Sequence, residues 1–108
     1  MSDRAEIEIL FFDDCPNYRD AIDLVRLLLA ESHFDADLKL TLVEEPERAR
    51  ELRFLGSPTI RVNGRDVEPG ADEREDYVLA CRVYQTEHGP GGVPDPRWIV
   101  WGLEAVAA

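Results

Sequence analysis

The sequence predicts an α/β fold: a four-stranded mixed sheet with helices on both faces and a C-terminal extension. Three observations carry this. An apolar run at 6–12 is followed, after a four-residue turn, by seventeen residues of helical period. A second alternating run and a second short helical run come next. Asn63-Gly64 then joins two short strand-like segments, the strongest hairpin signal in a short stretch of sequence. One strand-helix-strand unit gives a parallel pair by a right-handed crossover, and the hairpin must add antiparallel strands. With 108 residues the chain suits one domain, spanning 1–108. A chain of this size buries roughly 65% of its unfolded surface and needs no staples to fold.

Residues 6–12 alternate and then become continuously apolar, as expected of a central strand covered on both sides. Asp13-Asp14-Cys15-Pro16 reads as a turn, with proline tolerated in the first helical turn. Across 17–33 the apolar residues Tyr18, Ala21, Ile22, Val25, Leu28 and Leu29 fall at spacings of three and four, one face of a helix. Residues 37–43 alternate through Leu38, Leu40 and Leu42 as a second strand. Residues 44–55 predict a short helix with Ala49, Leu52 and Leu55 inward. Gly56-Ser57-Pro58 stops it.

Residues 59–62 and 66–68 are the two hairpin strands, ended by Pro69-Gly70. A charged loop follows at 71–76. Residues 77–84 are apolar enough to pack and are compatible with strand or helix; strand alternation would put Tyr77, Leu79, Cys81 and Val83 on one face. Residues 87–96 read as a Gly/Pro-rich connector. A final helix starts at Asp95 or Pro96, with Trp98 and Trp101 expected to pack it on the sheet.

Twelve basic and 23 acidic residues give a net charge of −11, which opposes binding to nucleic acid or an anionic membrane surface. The first six residues are polar, without the apolar core of a signal peptide. The longest apolar segment, at 24–30, is interrupted by Arg26 and is too short to span a bilayer. The expectation is a cytoplasmic protein with both cysteines reduced at rest. Two histidines and two cysteines at no ligand-like spacing predict no zinc site and no other metal; no organic cofactor is implied.

The chemistry concentrates on Cys15. A thiol at the start of a helix gains from free backbone N–H groups and from the helix dipole. Asp13 and Asp14 oppose a thiolate there, and Arg19 one turn on would offset them. The alternative is a partly buried cysteine that only caps a turn. Cys81 sits in an apolar segment, where a buried inert thiol is the common outcome. Its functional reading is a resolving thiol that meets Cys15, with Arg82 beside it holding a thiolate or an anionic partner. Tyr18 stands where a Cys-x-x-Cys motif would place its second cysteine, so resolution comes from Cys81, from an external thiol, or does not occur. The Tyr18 hydroxyl is a candidate donor to a bound sulfur species, with a place in the core or on the rim as its alternative.

With Cys15-Pro16 at the first strand-to-helix turn and Gly56-Ser57-Pro58-Thr59-Ile60 before the hairpin, residues 6–68 resemble the thioredoxin fold. The whole chain is similar to a group of small bacterial thioredoxin-like proteins. These share the Cys-Pro start, the Gly-Ser-Pro-Thr strand, the Asp66-Val67-Glu68-Pro69-Gly70 segment and a later Cys81-Arg82-Val83-Tyr84. Some carry selenocysteine in place of the first cysteine, and some are labelled alkylmercury lyases. The resemblance implies a cis Pro58, with Ser57 facing the Cys15 thiol and the backbone there holding an extended substrate. The expected function is a thiol redox activity with Cys15 as primary nucleophile, released by Cys81 or by a small-molecule thiol. Pro16, Tyr18, Ser57, Pro58 and Arg82 would form the substrate contacts. The expected partner is a thiol or disulfide, on a protein or a small molecule. The competing classes are a binding module without turnover, and capture of a soft metal or mercurial by the two thiols.

Overall fold

A computed structural model describes residues 4–107. The first three residues, half of the polar start read as lacking a signal peptide, lie outside the described residues. The elements are β1 (Ala5–Phe11), α1 (Tyr18–Glu31), β2 (Ala36–Leu42), α2 (Pro46–Glu51), β3 (Thr59–Val62), β4 (Arg65–Asp66), β5 (Tyr84–Thr86), β6 (Gly89–Gly91) and α3 (Pro96–Ala107), with a 3-10 turn at Ala71–Glu73. The main sheet is four-stranded and mixed, in the order β2-β1-β3-β4. β1 runs parallel to β2 and antiparallel to β3, and β3 is antiparallel to β4.

β1 is the central strand, and its two faces build two cores. Ile7 and Ile9 meet Ile60 and Val62 of β3, Ala21 and Val25 of α1, and Ile99 and Leu103 of α3. Leu10, on the opposite face, packs with Val43, Ala49 of α2 and Phe54. β1 therefore divides its side chains between two layers, because successive residues point to opposite faces. α1 and α3 share one face and α2 lies on the other.

The helix ends follow local chemistry. Asp95 caps α3: its carboxylate accepts the Arg97 amide at 2.9 Å, and Pro96 occupies the first turn. In α3, Ile99 and Leu103 are buried and Trp98 is tilted against Tyr84. Trp101 is not the packing residue expected of it. It is 54% exposed beneath the Arg97 guanidinium, because Gly102 is the residue that presses on β3, against Val62.

α2 is shorter than its apolar pattern predicts. Arg53 takes the left-handed conformation (φ 56°) and turns the chain, so Phe54 and Leu55 enter the core from outside the helix. Arg61 reaches back from β3 and donates to the Leu52 and Arg53 carbonyls at 2.6 and 3.0 Å, which satisfies the open helix end. The Asn63-Gly64 turn forms as predicted, both residues with positive φ. Asn63 also ties the hairpin to β1, exchanging hydrogen bonds with the Glu6 backbone.

Two segments differ from expectation. The connector at 87–96 contains half of a small hairpin, β5 with β6, turned at Glu87-His88, with Gly89 at φ 100° opposite Thr86. Residues 77–83 are neither helix nor a strand of the main sheet. They run beside 54–57, touching it through the Val78 amide on Phe54 and through a single parallel bridge between Ser57 and Cys81. Tyr77 and Leu79 are half-buried, as the apolar alternation expects, but the phase reverses after Ala80. Arg82 and Tyr84 point inward, and Cys81 and Val83 point out. The polar residues go inside because each finds partners there.

Candidate functional site

The site is built where three stretches meet: the turn after β1, the residues before β3, and residues 80–84. Phe12 accepts the Cys15 amide and closes the Asp13-Asp14 turn. This sets the Cys15 thiol against Ser57, whose carbonyl accepts from Sγ at 3.4 Å. The Asn17 amide donates to the same sulfur, also at 3.4 Å. Cys15 lies three residues ahead of the first helical residue, so its contact with the helix end is this one amide. The Ser57–Pro58 peptide is cis, as the resemblance implied.

Ser57 is fully buried and every polar group it carries has a partner. Its Oγ accepts the Phe12 amide at 3.3 Å. Its amide donates to the Ala80 carbonyl at 2.8 Å, and its carbonyl accepts the Arg82 amide at 2.9 Å. This corrects the expectation that Ser57 and Pro58 offer open backbone to an extended substrate. Residues 80–82 already occupy that edge. Gly56 allows the approach: with φ 116° it adopts a backbone that side chains disfavour, and a Cβ there would meet the Ala80 carbonyl oxygen at 3.1 Å.

The covering segment is fastened by Arg82. Its guanidinium donates to Asp66 at 2.7 and 3.0 Å, to Glu68 at 3.0 Å and to the Thr59 hydroxyl at 3.1 Å. Its carbon lies 4.2 Å from the centre of the Tyr84 ring. Burial opposes its charge, yet the Asp66 and Glu68 carboxylates hold its pKa above the ordinary arginine value. Only Nε is buried without a partner. Tyr84 beside it donates to the Pro58 carbonyl at 2.5 Å, and burial pushes its pKa well above that of a free phenol. Arg82 is 2% exposed and paired with Asp66 and Glu68, which corrects the expectation that it holds a thiolate or an anionic partner. Its paired carboxylates explain why: a buried guanidinium is tolerated only with such partners.

Cys15 is 2% exposed, while Cys81, expected in an apolar face, is exposed. They are neighbours. Lost hydration pushes the Cys81 thiol up, and the adjacent Cys15 thiol adds to that rise. Both are free thiols.

The other expected contacts divide. Pro16 is exposed at the rim. Tyr18 stacks on Phe11, with ring centres 4.5 Å apart, and its hydroxyl accepts from Arg19 Nε at 3.3 Å rather than reaching sulfur. Arg19 thus lies over Tyr18 instead of over the thiol. Local sequence pattern does not reveal the roles of Tyr84, Asp66 and Glu68, which meet Arg82 across the fold. Asp66-Val67-Glu68 puts two carboxylates on one side of an extended segment, a spacing suited to one shared cation.

Among the described residues no group of three or more His, Cys, Asp or Glu side chains is arranged for a metal ion, and no helix is long and apolar enough to cross a membrane. No family model, no curated protein and no solved structure matches the chain.

Proposed function

We propose that the protein is a thioredoxin-like thiol–disulfide redox protein whose working pair is Cys15 and Cys81. The observation that carries this reading is the Ser57–Cys81 bridge, which sets Cys81 beside the residue whose carbonyl holds the Cys15 thiol. The fold reading draws on the β2-β1-β3-β4 order and on the thiol at the turn between β1 and α1.

Exposure makes Cys81 the point of entry. Its thiolate attacks a disulfide RSSR, the S–S bond breaks, and one RS⁻ leaves and takes a proton. The Cys15 thiolate then attacks Cys81 sulfur and expels the second RS⁻. Two thiols become the Cys15–Cys81 disulfide and RSSR becomes two RSH, a transfer of two electrons and two protons. In the reverse direction the protein oxidises a dithiol. The alternative order, with Cys15 attacking first, requires residues 80–82 to lift from Ser57.

The test is reaction of the reduced protein with hydroxyethyl disulfide, a neutral substrate that the net charge does not repel, followed by mass spectrometry. Wild type should lose two hydrogens and release two equivalents of mercaptoethanol. Cys15→Ser should stop at a mixed disulfide on Cys81. Accumulation of that mixed disulfide in wild type would sink the redox pair. It would favour a second reading, a binding module without turnover, which the 2% exposure of Cys15 supports.

A further inference from the structure

Away from the thiols, a cavity of about 420 Å³ opens under the loop at 71–77. Four of the chain's twelve basic residues line it: Arg53, Arg61, Arg65 and Arg74. Leu52, Leu55, Ala71 and Tyr77 supply its apolar wall, and Asp66 and Asp72 its acidic lining. In a chain of net charge −11 this is a local reversal of sign.

The acidic groups nearby are already engaged. Asp66 and Glu68 take up the buried Arg82, with Glu68 also 3.6 Å from Arg74. Asp76 holds Arg74 at 2.6 Å, and Asp72 faces Arg65 at 3.8 Å. Arg53 and Arg61 have no carboxylate partner among the described residues. One nitrogen of Arg61 holds the two carbonyls that end α2, which fixes that guanidinium at the cavity. Arg53 adds a second sign. It stands at φ 56°, where glycine is the ordinary helix stop, so a strained backbone carries a cation to the cavity lining.

We propose that this cavity binds a small organic phosphate, a monoester whose phosphate meets Arg53 and Arg61 and whose body lies along Tyr77 and the leucine wall. All four cations are arginine, the side chain whose planar fork matches phosphate oxygens in pairs. A phosphate monoester offers three terminal oxygens, enough for two guanidiniums at once. The volume lies within the range of small-molecule sites, and inorganic phosphate alone would leave much of it unfilled. The site is independent of the thiol chemistry.

The experiment is calorimetric titration of the full chain with phenyl phosphate at low ionic strength, with inorganic phosphate and phenol in parallel. Phenyl phosphate should bind saturably, inorganic phosphate more weakly, and phenol not at all. Added salt should weaken binding, since the site opens to solvent. Arg53→Gly is the decisive variant. Glycine suits the backbone at this position, so the fold should hold and its melting temperature should not fall. Its affinity for phenyl phosphate should fall about tenfold or more, the loss of one charge-assisted contact. No saturable binding to wild type, or equal binding by Arg53→Gly, overturns the proposal. Equal binding of inorganic phosphate overturns the organic part of it.

Discussion

Ser57 and Cys81 are joined in a parallel bridge, and through it the chain covers its own buried thiol. The Ser57 amide meets the Ala80 carbonyl, while the Ser57 carbonyl accepts both the Arg82 amide and the Cys15 thiol. One carbonyl thus links the covering segment to the group beneath it. Loosening the segment would take one of its two partners from that carbonyl and leave the Cys15 thiol as the other.

The two thiols should therefore react at different rates with an alkylating reagent. In the native protein near neutral pH, Cys81 should be modified at least about tenfold faster than Cys15, because a buried sulfur waits on local opening. Peptide mapping of a time course checks this. Faster labelling of Cys15 would show that the cover is not in place in solution.

Gly56→Ala should weaken the cover. A side chain at φ 116° is disfavoured, and its Cβ would meet Arg82 Cβ at 3.0 Å. The expected cost is about 1–3 kcal/mol from backbone conformation, read by urea denaturation. Cys15 alkylation should also accelerate relative to Cys81. A stable variant with unchanged labelling would separate Gly56 from control of the cover.

Arg82→Met should destabilise by about 3–5 kcal/mol, since it leaves two carboxylates facing inward without their cation. Adding Asp66→Asn and Glu68→Gln to that variant should recover part of the loss. Urea denaturation of the single and triple variants distinguishes the outcomes. No loss in Arg82→Met would mean that Asp66 and Glu68 hydrate readily.

Tyr84→Phe removes the hydroxyl that serves the Pro58 carbonyl and should cost about 1–3 kcal/mol. Burial raises the Tyr84 pKa above its ordinary value. Above about pH 10 the unfolded chain therefore releases a proton that the folded chain keeps, and stability falls as pH rises further. The Tyr84→Phe variant should lose that part of the alkaline slope. Equal slopes in the two proteins would count against a buried phenol.

Asp95 gives the opposite, acidic signature. The Arg97 side chain, with its backbone amide, holds the Asp95 carboxyl at about 2 against an ordinary value of 3.8. Its contribution is present above about 3.8 and is lost as pH falls from there toward 2. Asp95→Asn should lower the melting temperature at pH 7, and the difference from wild type should shrink below pH 3. A difference that stays constant with pH would assign Asp95 a role without charge.

Most elements of the main sheet and its helices were legible because each rests on local pattern. The alternation in β1, the three-and-four spacing in α1, the Asn63-Gly64 turn and the Asp95-Pro96 start of α3 all act within a few residues. Elements went astray where a distant group decided. The early end of α2 comes with the left-handed turn at Arg53, and the carbonyls it leaves open are served by Arg61 of β3. The reversed phase of 81–84 depends on Asp66 and Glu68, whose pairing buries Arg82 and turns the more apolar Cys81 and Val83 outward.

The sequence by itself determined the mixed sheet, the position of Cys15 at the turn between β1 and α1, and the acidic character of the chain. These depend on side-chain period, turn chemistry and charge, which neighbouring residues express together. The tertiary structure alone decided that Cys15 is covered, that Cys81 is exposed beside it, that the Ser57 backbone is occupied from within, and that four arginines line one cavity. Those facts depend on pairings between residues far apart in the chain, where burial of a polar group is settled by whether a partner waits for it.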